Sequence, residues 1–177
     1  MLTSSCLAYL SLGSNLGDRA ANLQRALHDL GVLGRVTKIS FFYETEPVEF
    51  TAQPLFLNCA AELETFREPL ELLAGILAIE RGLGRVREGA TPKGPRILDI
   101  DILIYGDRLL ELPELTIPHP AMHLRRFVLE PLAEIAGQVR HPALQFTVGE
   151  LLERLPEGQR VRRLPPEAVG PFSAERK

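Results

Sequence analysis

The sequence predicts an α+β fold, and three observations carry that prediction. Residues 6–12, 36–45 and 55–65 are strand-like runs, the last with strict alternation of faces, and Leu98 to Tyr105 is an apolar run broken by two acids. Two intervening stretches have helical spacing instead, one through Leu23, Ala26, Leu27 and Leu30, the other through Leu72, Leu73, Ile76, Ile79 and Leu83. The resulting order is β-α-β-β-α-β. It is the ferredoxin-like split arrangement, an antiparallel sheet with helices on one face and an open opposite face. Any active site is then expected on the open face.

The first strand, residues 6–12, runs into a turn at Gly13-Ser14-Asn15-Leu16-Gly17-Asp18, where Asn15 or Asp18 caps the helix that follows. This junction lacks both glycine-rich phosphate-loop patterns, so it reads as a tight turn. Gly31 or Gly34 ends the helix. Residues 36–45, β-branched and aromatic, read as one second strand. A loop from Glu46 to Pro54 leads to the third strand. Its Leu57, Cys59, Ala61 and Leu63 face the core, whereas Phe56, Asn58, Ala60 and Glu62 face away. Pro69 fits the first turn of the second helix. After the fourth strand, Gly106-Asp107 reads as a hairpin turn with residues 108–110 returning. Pro118-His119-Pro120 interrupts regular structure. Residues 126–136 and part of 142–155 read as helices. Residues 1–155 are thus expected to form one domain, and 156–177 a proline- and charge-rich extended tail.

A chain of 177 residues suffices for one domain with a good core, and its 45% hydrophobic and 24% charged content is that of a globular protein. The net charge of −3 argues against non-specific nucleic-acid binding. Two cysteines, Cys6 and Cys59, suggest a reduced, cytoplasmic setting. No signal-peptide pattern and no run of transmembrane length is apparent, so no membrane partner is expected.

The most informative stretch is Gly94-Pro95-Arg96-Ile97-Leu98-Asp99-Ile100-Asp101-Ile102-Leu103-Ile104-Tyr105. Strand parity places Leu98, Ile100, Ile102 and Ile104 on one face, and Asp99, Asp101, Leu103 and Tyr105 on the other. Two acids roughly 7 Å apart repel unless a cation joins them. Few hard oxygen ligands favour magnesium, which keeps waters and shares its coordination with substrate phosphates. Arg81, Arg85, Arg87, Lys93 and Arg96 precede the acids, and His119, His123, Arg125 and Arg126 follow them. Arginine forks match phosphate oxygens, so these are the parts of a phosphoryl-transfer site. Phe56 and Asn58 fall on the same face as the acids and suit a flat heterocycle, stacked by one and hydrogen-bonded by the other. On the residues alone, another magnesium-dependent nucleotidyl or phosphoryl transferase, or a non-catalytic nucleotide-binding module, stays open. The segment Gly84–Gly94, glycine-rich and charged, has little to bury and is expected to close on a triphosphate.

The chain resembles the 6-hydroxymethyl-7,8-dihydropterin pyrophosphokinase family of folate biosynthesis. The resemblance rests on ordered matches from about Ala8 to Gly137: Leu10-Ser11-Leu12-Gly13-Ser14-Asn15-Leu16-Gly17, Tyr43-Glu44-Thr45-Glu46-Pro47, Gln53-Pro54-Leu55-Phe56-Leu57-Asn58, Ile79-Glu80, Gly84-Arg85-Val86-Arg87, Gly94 to Asp101, and Pro118-His119-Pro120-Ala121-Met122. It implies a monomeric, ferredoxin-like enzyme that moves pyrophosphate from ATP to a reduced pterin and leaves AMP. It further implies two magnesium ions on Asp99 and Asp101, and a pterin between Phe56 and Phe127, beside Asn58 and the Thr45, Pro47 and Val48 backbone. Nucleotide contacts would come from Glu80, Arg87, Arg96, Ile102, Thr116, His119 and Arg125. Arg85 would be a mobile-loop arginine and, with Arg96, Asp99 and Asp101, catalytic. His119 is expected as a donor to phosphate. Lys93, Glu114, Leu77 and Pro120 depart from the family pattern, at closing-loop and adenine contacts.

Overall fold

The computed structural model describes residues 4–48, 50–85 and 94–169. Strand β1 (Cys6–Ser14) lies between β4 (Phe56–Thr65) and β5 (Asp99–Tyr105), antiparallel to both. The other edge of β4 pairs with β2 (Arg35–Ile39) and β3 (Tyr43–Thr45). The expected second strand of residues 36–45 is therefore two strands. At the break Ser40 turns its hydroxyl to the Ala60 N–H, 2.9 Å away, and the pairing with β4 slips by one residue between Ile39–Ala61 and Tyr43–Asn58.

Helix α1 (Arg19–Asp29) is capped by Asp18, whose Oδ1 accepts from the Ala21 N–H at 3.0 Å. Helix α2 (Pro69–Gly82) opens with a capping box between Glu68 and Glu71 and Pro69 in its first turn. Both helices bury their apolar stripes on one face of the sheet. Leu23, Leu27, Leu72 and Ile76 share a core there with Leu10, Leu12, Cys59, Leu63, Ile100 and Ile102. This is the helical layer expected of the β-α-β-β-α-β order.

The opposite face is only partly open, contrary to the expectation that helices cover one side alone. Short strands β6 (Leu110–Glu111) and β7 (Thr116–Ile117) pair with each other, so residues 108–110 do not return along the acid-bearing strand. Helices α3 (Arg126–Ala136) and α4 (Val148–Glu153) follow. Val128, Leu129, Leu132, Val148 and Leu151 pack with Tyr9, Ala60, Leu103 and Ile104 on the second face. These apolar strand residues could not stay exposed, and the C-terminal helices cover them. The site takes what remains of that face.

The alternation along β5 also departs from simple parity. Tyr9 pairs with Ile104 but Leu10 pairs with Ile102, so Leu103 is an extra residue in the ladder. This bulge turns Ile104 to the second core and Tyr105 to the first, the reverse of the expected faces. It lies beyond the two acids and leaves their common face intact.

Residues from 156 onward are not merely a tail. Strand β8 (Val161–Arg163) pairs antiparallel with β3, and Arg162 Nη2 meets Glu44 Oε1 at 2.7 Å. A three-residue edge strand with arginines at two positions carries too little apolar pattern to stand out in sequence. Of the segment expected to close on a ligand, residues 86–93, including Arg87 and Lys93, lie outside the described residues. Among the described residues no helix is long and apolar enough to cross a membrane.

Candidate active site

Three adjacent strands build the floor of a cavity of about 310 Å³ on the partly open face. Register aligns Asn58 with Gly13 and Gly13 with Asp99, then Ala60 with Ser11 and Ser11 with Asp101. Gly13 is thus a gap between an amide and a carboxylate. A Cβ there would stand 2.6 Å from Asn58 Oδ1 and 3.7 Å from the Phe56 ring, so only glycine lets that amide lean over the middle strand.

One end of the cavity is an aromatic and amide wall. Phe56, Asn58 and Phe127 line it with Thr45, Glu46, Pro47, Val48 and Gln53. Asn58 Nδ2 donates to Thr45 Oγ1 at 2.6 Å, and both residues are buried. That bond fixes the amide and leaves Oδ1 toward Gly13 as an acceptor. Asn15 braces the rim. Its Nδ2 donates to Gln53 Oε1 at 2.9 Å and to Pro54 O at 3.1 Å, and its Oδ1 accepts from the Arg96 N–H at 2.8 Å.

The other end is charged, lined by Arg85, Arg96, Asp99, Asp101, His119 and Arg125. Arg85 Nη1 bonds both Asp99 Oδ1 and Glu80 Oε1. Arg96 Nε lies 3.3 Å from Asp99 Oδ2 but is not aligned to donate to it, and that nitrogen has no hydrogen-bond partner among the described residues. No hydrogen bond or ion pair reaches Asp101 among the described residues. Burial, then the charge of Asp99, pushes its carboxyl up to about 7. Burial, then Arg125, lowers His119 to about 4, so the ring is neutral. His119 Nδ1 accepts from the Ala121 N–H at 3.1 Å, which leaves Nε2–H as a donor. His119 can therefore donate to an anion and is too weak a base at neutral pH to compete for a bound proton.

The acids fit a divalent cation. Asp101 is a half-buried carboxylate with no ion-pair partner among the described residues, and there Asp99 is held by Arg85 and Arg96, which phosphate can claim. Among the described residues no group of three or more His, Cys, Asp or Glu side chains gathers as an all-protein cage. Two carboxylates completed by water and phosphate oxygens suit magnesium.

Not every expected residue meets the cavity. Glu80 is buried beneath it, where its Oε1 also accepts from the Ile100 N–H at 2.8 Å. It supports Arg85 and β5 and is not among the residues that line the cavity. The Ile102 side chain lies in the helical-side core and Thr116 on β7, and neither lines the cavity. Arg87 falls outside the described residues. Conversely, Ser11, Gly13, Glu46 and Gln53 line it without having been singled out. Parity could have found Ser11 and Gly13, which neighbour the acids across the sheet. Glu46 and Gln53 sit in a loop, where parity says nothing.

An acid pair suited to a cation, beside arginine and histidine donors and next to an aromatic slot, fits a phosphoryl-type transferase with an α+β frame. The chain belongs to the 7,8-dihydro-6-hydroxymethylpterin-pyrophosphokinase (HPPK) family, whose model matches residues 9–137. It is 46% identical over 140 residues to the 2-amino-4-hydroxy-6-hydroxymethyldihydropteridine pyrophosphokinase of Bacillus subtilis, covering 77% of this chain and 82% of that protein. Against the enzyme of the same name from Pseudomonas aeruginosa it is 42% identical, covering 89% of this chain and 96% of that one. The folic acid synthesis protein FOL1 of Dictyostelium discoideum is 38% identical over 90% of this chain, which spans only 24% of that longer protein. The fold matches a crystal structure of Plasmodium falciparum HPPK-DHPS with pteroate at a TM-score of 0.71 and 19% identity, over 85% of this chain and 42% of that one.

Proposed function

We propose that this chain transfers the β,γ-pyrophosphoryl group of ATP to the hydroxymethyl oxygen of 6-hydroxymethyl-7,8-dihydropterin, giving the pterin diphosphate and AMP for folate biosynthesis. The observation that carries the reading is the row Asn58, Gly13, Asp99 across three strands, which joins a heterocycle site to a cation site. Phe56 and Phe127 take the ring, Asn58 and the Thr45 to Val48 backbone take its polar edge, and Asp99 and Asp101 hold two magnesium ions. Magnesium supplies charge neutralisation of the triphosphate and lowers the pKa of a nearby hydroxyl. Arg96, Arg125 and the His119 Nε2–H bind phosphate oxygens. Arg85 leaves Asp99 for the phosphates when cation and nucleotide arrive.

In the reaction the hydroxymethyl oxygen bonds to the β-phosphorus as the bond from that phosphorus to the α,β-bridging oxygen breaks. The hydroxyl proton leaves to solvent, and AMP carries the bridging oxygen away. In-line placement and neutralised charge supply most of such a rate, so the absence of a strong base among the described residues fits the chemistry. A monomer and a cytoplasmic setting accompany this reading, and the free thiols Cys6 and Cys59 suit such a reducing setting. The test is turnover of ATP by the purified chain. Consumption should require both magnesium and the dihydropterin, and Asp99→Ala and Asp101→Ala should abolish it while the fold stays intact. Pterin-independent hydrolysis at the same rate refutes the proposal.

A further inference from the structure

Gln159 lies beyond the span matched by the family, in the proline- and charge-rich C-terminal stretch. Its side chain reaches across the aromatic end of the cavity. Oε1 accepts from the Phe127 N–H at 3.2 Å, and Nε2 donates to Glu46 O at 2.9 Å. Phe127 and Glu46 both line the cavity, one from α3 and one from the loop after β3. The Phe127 N–H belongs to the first turn of α3, whose N-cap residue Arg125 makes no side-chain cap. Gln159 therefore satisfies a helix donor that the local sequence leaves without a partner. Neighbouring bonds hold Gln159 in place. The Glu46 N–H donates to Arg160 O at 3.3 Å, Thr45 pairs with Val161 in the ladder, and Arg126 Nη2 holds Leu155 O and Pro156 O at 3.2 and 3.3 Å.

We propose that Gln159 is a positioning residue for the heterocycle slot, setting the distance between Phe127 and the Glu46–Val48 wall. The proposal rests on the pterin reading of that slot. A flat ring gains from a slot held at its own thickness before it arrives, because the walls then lose no freedom on binding. Among the described residues Gln159 makes no hydrogen bond to the charged end, and it holds the Phe127 backbone N–H and not the ring that lies over Arg125, so nucleotide binding should change far less than pterin binding.

The test compares Gln159→Ala and Gln159→Glu with the unaltered chain, using 6-hydroxymethyl-7,8-dihydropterin as titrant in the presence of an unreactive ATP analogue and magnesium. Gln159→Ala should weaken pterin binding about tenfold, the size of one or two hydrogen bonds. The KM for pterin should rise likewise, with kcat and the KM for ATP within twofold. Gln159→Glu keeps the acceptor for the Phe127 N–H and gives up the donor to Glu46 O, so its loss should be intermediate. Pterin affinity within twofold of the unaltered chain in both variants overturns the proposal. So does an equal loss of pterin and ATP affinity, or a collapse of thermal stability that accompanies every loss. If the unaltered chain binds no pterin, the functional reading itself fails, and that result is distinct from the others.

Discussion

The Arg96 guanidinium carbon stands 5.2 Å from the centre of the Phe56 ring. Phe127 repeats the relationship with Arg125 at 5.8 Å. Each aromatic wall of the slot thus touches an arginine of the phosphate end, so the two halves of the cavity are mechanically joined. Phe56→Ala should lose ~1 kcal/mol of pterin stacking beyond area and about 0.5–1 kcal/mol of support for Arg96, weakening both ligands. Asn58→Ala touches the pterin side alone and should cost ~1–3 kcal/mol of pterin affinity. Separate titrations of pterin and of an unreactive ATP analogue distinguish these patterns. Equal effects of the two substitutions on nucleotide would contradict the shared-wall argument.

Gly13→Ala should mimic Asn58→Ala without removing a polar atom. The new Cβ drives Asn58 Oδ1 away from 2.6 Å and strains its bond to Thr45. Pterin affinity should fall by at least tenfold, while the melting temperature changes only by what one overpacked methyl costs, about 1–3 kcal/mol. Retained pterin affinity would show that the amide does not meet the ligand.

Stability without magnesium should carry the signature of Asp101. Its folded carboxyl titrates near 7 and lies well above the unfolded value, so the folded state binds a proton that the unfolded state has released. Its charge therefore costs stability fully above pH 7, and progressively less as pH falls toward 4. Asp101→Asn should be more stable than the unaltered chain at pH 8 in chelator, with the gap closing by pH 5. Melting curves across that range measure it. A gap that widens on acidification would reverse the sign and remove the burial argument.

Arg85→Ala removes a partner of Glu80, which is 1% exposed, and one of Asp99. Loss of a charge-assisted bond to a buried carboxylate should cost about 2 kcal/mol of stability. Magnesium should bind the variant at least as tightly, because the arginine no longer occupies Asp99, while turnover falls. Denaturant unfolding, calorimetric metal titration and rate measurement give the three numbers. Weaker metal binding would contradict the view that Arg85 competes with the cation.

The legible part of this fold was the part with period and parity. Leu57, Cys59, Leu63, Ile100 and Ile102 fell on the helical side, and Asn58, Asp99 and Asp101 on the other, as strand alternation requires. Leu103 was not legible as a bulge, since a ladder shift depends on the partner strand and leaves no mark in composition. Nor was Gln159, because a side chain that bridges a loop to a helix end obeys no period. Glu80 matches the family motif by position, yet its bonds run to the Ile100 N–H and Arg85 beneath the cavity, a placement that only packing shows.

The central claim is that the β- and γ-phosphorus atoms leave ATP together and reach the pterin. ATP labelled at the β-phosphorus, incubated with the chain, magnesium and 6-hydroxymethyl-7,8-dihydropterin, tests it most directly. The β label should appear in the pterin product, and an α label should remain in AMP. Recovery of the β label in ADP, with only the γ-phosphoryl group transferred, would contradict the account.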